Sequence, residues 1–326
     1  MKLGVLTNLF RHRPFDEALA HFKALGIEMI EVGAGGNPGK HHCDPAVLLN
    51  DQEALDKWLA TVKKYDMEVA ALSVHGNPVH PNPEIAKADH EDFVNAVLLA
   101  EKIGVDTIVT FSGCPGGSKE DKTPNWVTCT WPTEFKDALD YQWNEVLIPY
   151  WKETAAFAKA HGVTKIALEL HPGFCVYNTD TLLRLRAAVG DVIGANFDPS
   201  HLIWQGMDPV QAIRAMRGAI HHFHAKDTRI DGFNTAVNGV LDTKSYADIG
   251  GRSWVFRTVG YGHDQSYWRE IITALRTVGY DKVMSIEHED ALMSEEEGLA
   301  LAASFLKASI IKDPAPTEIA WDSTFD

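Results

Sequence analysis

Four short apolar runs in this chain each lead into a side chain able to bind a cation or move a proton. They are residues 165–169 (KIALE), 193–198 (IGANFD), 220–229 (IHHFHAKDTR) and 282–287 (KVMSIE). Runs of this length suit strands, with the functional group at the C-terminal end. Glu169, Asp198, His224 and Glu287 then offer three carboxylates and one imidazole to a single point in space. Such a mostly hard donor set suits Mn²⁺ or Mg²⁺, with Co²⁺, Fe²⁺ and Zn²⁺ as further candidates. Taken singly, each residue has an ordinary role: strand-end acids cap helices, and a lone strand histidine is commonly a hydrogen-bonded core residue. Their joint occurrence on four successive strands is what favours a metal. Alternation puts His222 on the same face as His224, and His224 is preferred as ligand because it lies nearer the strand's end. A cation so held would polarise a ketone oxygen, while Glu169 and Glu287 act as catalytic base and acid on an adjacent carbon.

Other groups fall close to these four in sequence. His201, three residues past Asp198, has the reach to bind a sugar hydroxyl, or else caps the next helix. Lys226 and Arg229 are candidates for binding anionic or polyhydroxylated ligands, with a salt bridge to Asp227 as the alternative. His75 and His171 also fall just where strands end. Trp126, Trp131 and Trp254 lie in two long connections, and form either core or an aromatic wall for a sugar ring.

The elements that must position these residues alternate strand and helix eight times. Strands are expected at 3–10, 27–32, 67–74, 105–111, 165–169, 193–198, from 220, and at 282–287. Helices are expected at 15–25, 51–65, 83–104, 140–161, from about 178, from about 208, at 265–278, and from a capping box at 294–297. Alternation of this kind gives a parallel sheet with helical crossovers, and eight units close into a (β/α)8 TIM barrel. All strand C-termini then face one mouth, so strands five to eight bring the four groups together. An open doubly wound sheet is disfavoured because Thr7-Asn8-Leu9-Phe10 after strand one is no phosphate-binding glycine loop. The barrel is expected over residues 1–312 as a single domain, with long loops after strands four (112–139) and seven (230–263) and a loosely packed tail over 313–326.

The totals narrow the field. A formal charge of −15 argues against nucleic acid as partner. No apolar stretch is long enough to cross a bilayer and the first residues enter directly into a strand, so no membrane partner and a cytoplasmic location are expected. Four widely spaced cysteines without a CxxC pair indicate neither a zinc cluster nor a disulfide framework.

The strand ends Leu168-Glu169-Leu170-His171-Pro172, Asn196-Phe197-Asp198-Pro199-Ser200-His201, His222-Phe223-His224-Ala225-Lys226-Asp227 and Ser285-Ile286-Glu287 together resemble the xylose isomerase-like superfamily, in its sugar phosphate isomerase/epimerase group. The resemblance implies a divalent metal, commonly Mn²⁺, on Glu169, Asp198, His224 and Glu287, with the two glutamates moving the proton. It also implies that His201 and a basic residue near Arg229 hold substrate. The implied reaction is isomerisation or epimerisation of a keto-sugar or sugar derivative through an enediolate. Here the chain has Cys175 where ketohexose epimerases tend to carry another glutamate, and its two insertions are longer than compact epimerases need. That departure raises lyase chemistry on 3-oxo-sugars as the alternative, of the C-glycoside deglycosidase alpha-subunit or keto-inositol dehydratase type. It also fits a small second subunit as well as a homo-oligomer. An endonuclease IV-like repair enzyme shares the barrel but needs more ligands and a cationic groove.

Overall fold

The computed structural model describes residues 1–315 and Trp321, so most of the expected tail lies outside the described residues. Eight parallel strands close into a barrel: β1 (Lys2–Leu6), β2 (Met29–Gly36), β3 (Glu68–His75), β4 (Thr107–Thr110), β5 (Lys165–Glu169), β6 (Ile193–Phe197), β7 (Ile220–Ala225) and, after a hairpin of β8 (Asp227–Ile230) and β9 (Trp254–Arg257), β10 (Val283–Ile286). Closure is made by β1 on β10, with Lys2 opposite Val283 and Val5 opposite Ile286. This is the TIM barrel expected from the alternation.

Period-two geometry sorts the strand residues. Outward side chains such as Leu72, Leu168, Phe197 and Phe223 join the helices in one continuous core that also buries Phe22, Trp151 and Trp268. Inside the barrel, Ala71, Val109 and Ala167 form a small separate cluster. Next along the same faces come Ser73 and His75, Glu169, and His222 and His224, so the lumen turns polar towards the C-terminal mouth. The helices have local reasons to begin and stop where they do. Helix Pro83–Ile103 is capped by Asn82, whose side chain accepts from Glu84 N, and ends at Gly104 with φ 76°. Asn178 and Thr181 form a reciprocal capping box for helix Thr179–Val189.

Four local expectations change. Strand one stops at Leu6, and Thr7–Phe10 is a 3-10 turn. Strand two runs on to Gly36, where φ is 59° and a Cβ would stand 2.4 Å from the His75 carbonyl oxygen; only glycine allows that approach. Helix begins at Thr133 within the first insertion and continues, through a π-turn at Gln142–Leu147, into Ile148–Ala160. The widened turn precedes Pro149, which has no N–H to donate. The second insertion is not structureless. Its ends pair antiparallel, Asp227 with Arg257 through Ile230 with Trp254. Buried Asp227 secures this hairpin by accepting from the N–H groups of Gly260 (3.1 Å), Gly262 (3.2 Å) and His263 (2.9 Å) and from Trp268 Nε1 (3.1 Å). Among the described residues, no helix is long and apolar enough to cross a membrane.

Candidate functional site

The four strand-end groups meet. One potential ligand atom from each of Glu169, Asp198, His224 and Glu287 lies within 4.8 Å of the other three. His224 Nδ1 is 3.0 Å from Glu287 Oε2 and 3.4 Å from Glu169 Oε2. Asp198 combines two roles: its Oδ1 caps helix Pro199–Trp204 by accepting from Ser200 N at 2.8 Å, and its Oδ2 turns towards the cluster. Asp198 Oδ2 and His224 Nδ1 are both buried and make no well-directed hydrogen bond, although the Lys226 ammonium lies 3.0 Å from the first and Glu287 Oε2 3.0 Å from the second. Three carboxylates crowded round one buried point call for positive charge among them, and a divalent cation among these hard donors would supply it. The residues fit such an ion.

The other nitrogen of His224 is anchored by a residue that the sequence reading missed. Nε2 lies 3.0 and 2.9 Å from the two oxygens of Glu31, which is fully buried in β2. Glu31 also receives His222 Nε2 at 2.9 Å, Ser285 Oγ at 2.7 Å and Ser73 Oγ. Carboxylate, imidazole and metal position in a row is the usual way to fix which ring nitrogen ligates. His222 therefore faces Glu31 and not the cluster. An acid inside the otherwise apolar run MIEVGAGG was the available signal.

Lys226 reaches into the cluster from just past β7. Its Nζ lies 2.7 Å from Glu287, 2.8 Å from Glu289 and 3.0 Å from Asp198. Glu169 is held by His75 Nε2 at 2.9 Å, His201 Nε2 at 3.0 Å and Asn196 Nδ2 at 3.2 Å. Burial alone would raise the Glu169 carboxyl, but the bonds from His201 and His75 outweigh it and hold it well below the ordinary range. Burial likewise opposes ionisation of Glu287, yet Lys226 and His224 bring it down to about 2. Asp198 goes the other way, up to about 7, through burial and the nearby Glu287 and Glu169 charges, with Lys226 opposing. Burial, with His171 and Lys226, lowers His201 to about 3 and keeps it neutral. Glu169 and Glu287 are thus held ionised beside an Asp198 that resists ionisation.

The cluster opens into a cleft of about 260 Å³ bordered by His75, Glu169, His171, Lys226 and Glu287, and by Arg11, which the sequence reading did not single out. His171 packs on His201 with ring centroids 4.2 Å apart. Beyond His171 lies a neighbouring cleft of about 400 Å³ whose wall includes Trp126, Trp204, Tyr246 and Trp254. Two expected residues are not brought to the site. Trp131 is 78 % exposed. Arg229 is exposed too, because it lies within β8 on the hairpin and not at the end of a barrel strand. A larger cavity, about 560 Å³, is at the opposite end, among the strand N-termini around Lys2, Glu68, Asp106 and Lys282. Among the described residues it holds no comparable convergence of ligands, which favours the C-terminal mouth as the candidate site.

Comparisons with known proteins agree with the architecture. A sequence profile described as "Xylose isomerase-like TIM barrel" matches residues 19–309. The uncharacterized protein YfiH of Bacillus subtilis (strain 168) is 42 % identical over 313 residues, covering 95 % of this chain and 99 % of that protein. An inosose dehydratase of Clostridium perfringens (strain 13 / Type A) is 22 % identical over 69 % of this chain and 67 % of its own length. Among solved structures, IolI with a bound zinc atom superposes with TM-score 0.65 at 18 % identity, covering 95 % of this chain and 98 % of that one. A D-psicose 3-epimerase from Clostridium cellulolyticum H10, solved with D-tagatose, gives TM-score 0.60 at 14 % identity with the same coverage, 95 % and 98 %.

Proposed function

This chain belongs to the xylose isomerase-like TIM-barrel family, and from that premise we propose that it is a divalent-cation-dependent isomerase or epimerase of a keto-sugar or sugar derivative. The observation that carries the reading is the convergence of Glu169, Asp198, His224 and Glu287, whose potential ligand atoms all lie within 4.8 Å of one another. These four residues would hold the cation, with Mn²⁺ our first choice for so oxygen-rich a set and Zn²⁺ supported by the fold relative that binds it. When bound, the cation supplies Lewis-acid polarisation of the substrate carbonyl.

The chain's own residues do the rest. Glu169, kept ionised by His75 and His201, removes the proton from the carbon next to the carbonyl. Lys226 places a buried positive charge where the enediolate's negative charge develops. For isomerisation Glu169 returns the proton it took to the neighbouring carbon; for epimerisation Glu287, once it has taken up a proton from solvent, delivers it to the opposite face and is left ionised beside Lys226 and His224, while Glu169 releases its proton to solvent. His171 and His201 line the walls and orient hydroxyls. A second reading, expulsion of a β-substituent from the same enediolate, is favoured by the 400 Å³ aromatic cleft next door and by the likeness to an inosose dehydratase.

Incubating the Mn²⁺-loaded protein with keto-sugars and 3-oxo-glycosides in D₂O tests both readings by NMR. Deuterium incorporation without release supports isomerase or epimerase chemistry, and release of the substituent supports the lyase. Glu169→Gln and Glu287→Gln should each lower exchange by about 10²-fold or more. Undiminished exchange in both variants would overturn the proton-transfer roles.

A further inference from the structure

Arg11 borders the carboxylate cluster's cleft with no acid of the chain to pair with. The basic groups around it are already engaged. His12 faces Glu295, Arg13 pairs with Glu296, and Lys40 pairs with Asp92. Lys226, inside the cleft, is shared by Asp198, Glu287 and Glu289. Among the described residues Arg11 makes no ion pair, and it is exposed, so a ligand in the cleft can reach it. Its backbone is fixed from both sides. Buried Phe10 stacks on Phe22 with centroids 5.4 Å apart, Arg11 N donates to Asn8 O at 3.1 Å, and the Arg13 carbonyl meets His42 Nε2 at 3.0 Å.

Two amides stand beside it. Half-buried Asn8 and exposed Asn37 border the same cleft, and neither side chain has a protein hydrogen-bond partner among the described residues. Asn8 and Arg11 follow β1, and Asn37 follows β2. Round the closed ring these strands stand opposite β5 and β6, which lead into Glu169 and Asp198. A sugar whose carbonyl lies at the cluster therefore directs its far end at these donors. A guanidinium fork flanked by amide N–H groups suits an oxyanion. Charge decides which one. A single guanidinium balances the single charge of a carboxylate. A phosphate ester, at about −1.5 to −2 near pH 7, would leave negative charge uncompensated in a cleft that Glu287 and Glu289 also border. Size limits the rest: the cleft, about 260 Å³, falls short of the roughly 300–1,000 Å³ usual for drug-sized ligands, which suits one sugar unit.

We propose that Arg11, with Asn8 and Asn37, binds a carboxylate at the end of the substrate remote from its carbonyl. The substrate class is then a single-unit keto-sugar acid, and not a neutral ketose or a sugar phosphate. The proposal rests on the functional reading above for what happens at the cluster, but the carboxylate site can be tested by binding alone.

The experiment is calorimetry on the Mn²⁺-loaded full chain with matched ligands: D-fructose, D-fructuronate and D-fructose 6-phosphate, and D-tagatose beside D-tagaturonate. At least one uronate should bind about tenfold or more tightly than its neutral hexulose and than the phosphate, as a charge-assisted hydrogen-bonded pair allows. Arg11→Ala should remove that step, with an unchanged thermal midpoint showing that the fold is intact. Arg11→Lys, which keeps the charge but not the fork, should recover part of it. Equal affinity for uronate and hexulose, binding of none of the ligands, or a phosphate that binds as tightly as the uronate would overturn the proposal. So would a step that survives Arg11→Ala, which would put the carboxylate on the cation instead. Deuterium exchange with the hexuloses but no uronate step sinks the Arg11 site alone. A uronate step that is lost in Arg11→Ala, without any exchange, sinks the isomerase reading and leaves the site standing.

Discussion

At the residue scale, the site depends on which nitrogen His224 presents. Glu31 accepts from Nε2 and leaves Nδ1 to the cluster. Glu31→Gln keeps the volume but loses the charge that orients the ring, so Mn²⁺ affinity measured by calorimetry should fall about 10–100-fold. An unchanged affinity would show that Glu31 only packs the lumen. Thiol chemistry makes a separate check. Burial pushes the Cys43 thiol up to about 12, Cys114 and Cys175 are also buried, and Cys129 is exposed. At pH 8, a thiol reagent should label one cysteine of the folded protein quickly and all four after denaturation. The four cluster residues were legible in the sequence because each ends or follows an apolar run, where barrel geometry delivers side chains to the mouth. Glu31 was not, because it lies inside its strand. Its value comes from His222, His224, Ser73 and Ser285 on three other strands, which only the closed barrel brings round it.

At the scale of elements, the hairpin was hidden for a different reason. Asp227–Ile230 reads DTRI, with no apolar alternation to mark a strand. It forms because Asp227 gathers N–H groups from the returning segment at Gly260, Gly262 and His263 and from Trp268. Asp227→Ala strands those donors in the interior and should cost about 3 kcal/mol or more in urea unfolding. A loss under about 1 kcal/mol would mean the hairpin holds without it. The aromatic cleft should then be the first feature to loosen, since Trp254 is carried on β9. Arg229 misled for the same reason: a basic residue soon after a strand points into a mouth only if a loop follows, and here a second strand follows instead.

Over the whole molecule, β5, β6, β7 and β10 present the four candidate ligands at their C-terminal ends while β1 closes the ring against β10. An ion that binds the closed barrel and not the unfolded chain must stabilise the whole cooperative unit. At a hundred times its dissociation constant Mn²⁺ should add about 2.7 kcal/mol, a rise of about 4 °C in thermal midpoint for a chain of 326 residues. EDTA should reverse the rise, and no shift at saturating Mn²⁺ would count against the centre. The register of Ile230 against Trp254 has a further consequence. It holds the two ends of residues 231–253 side by side, so that segment behaves as an exchangeable cassette plugged into a fixed socket. Grafting the corresponding span from another barrel of this kind between those two residues should transplant ligand preference and leave the reaction machinery where it is.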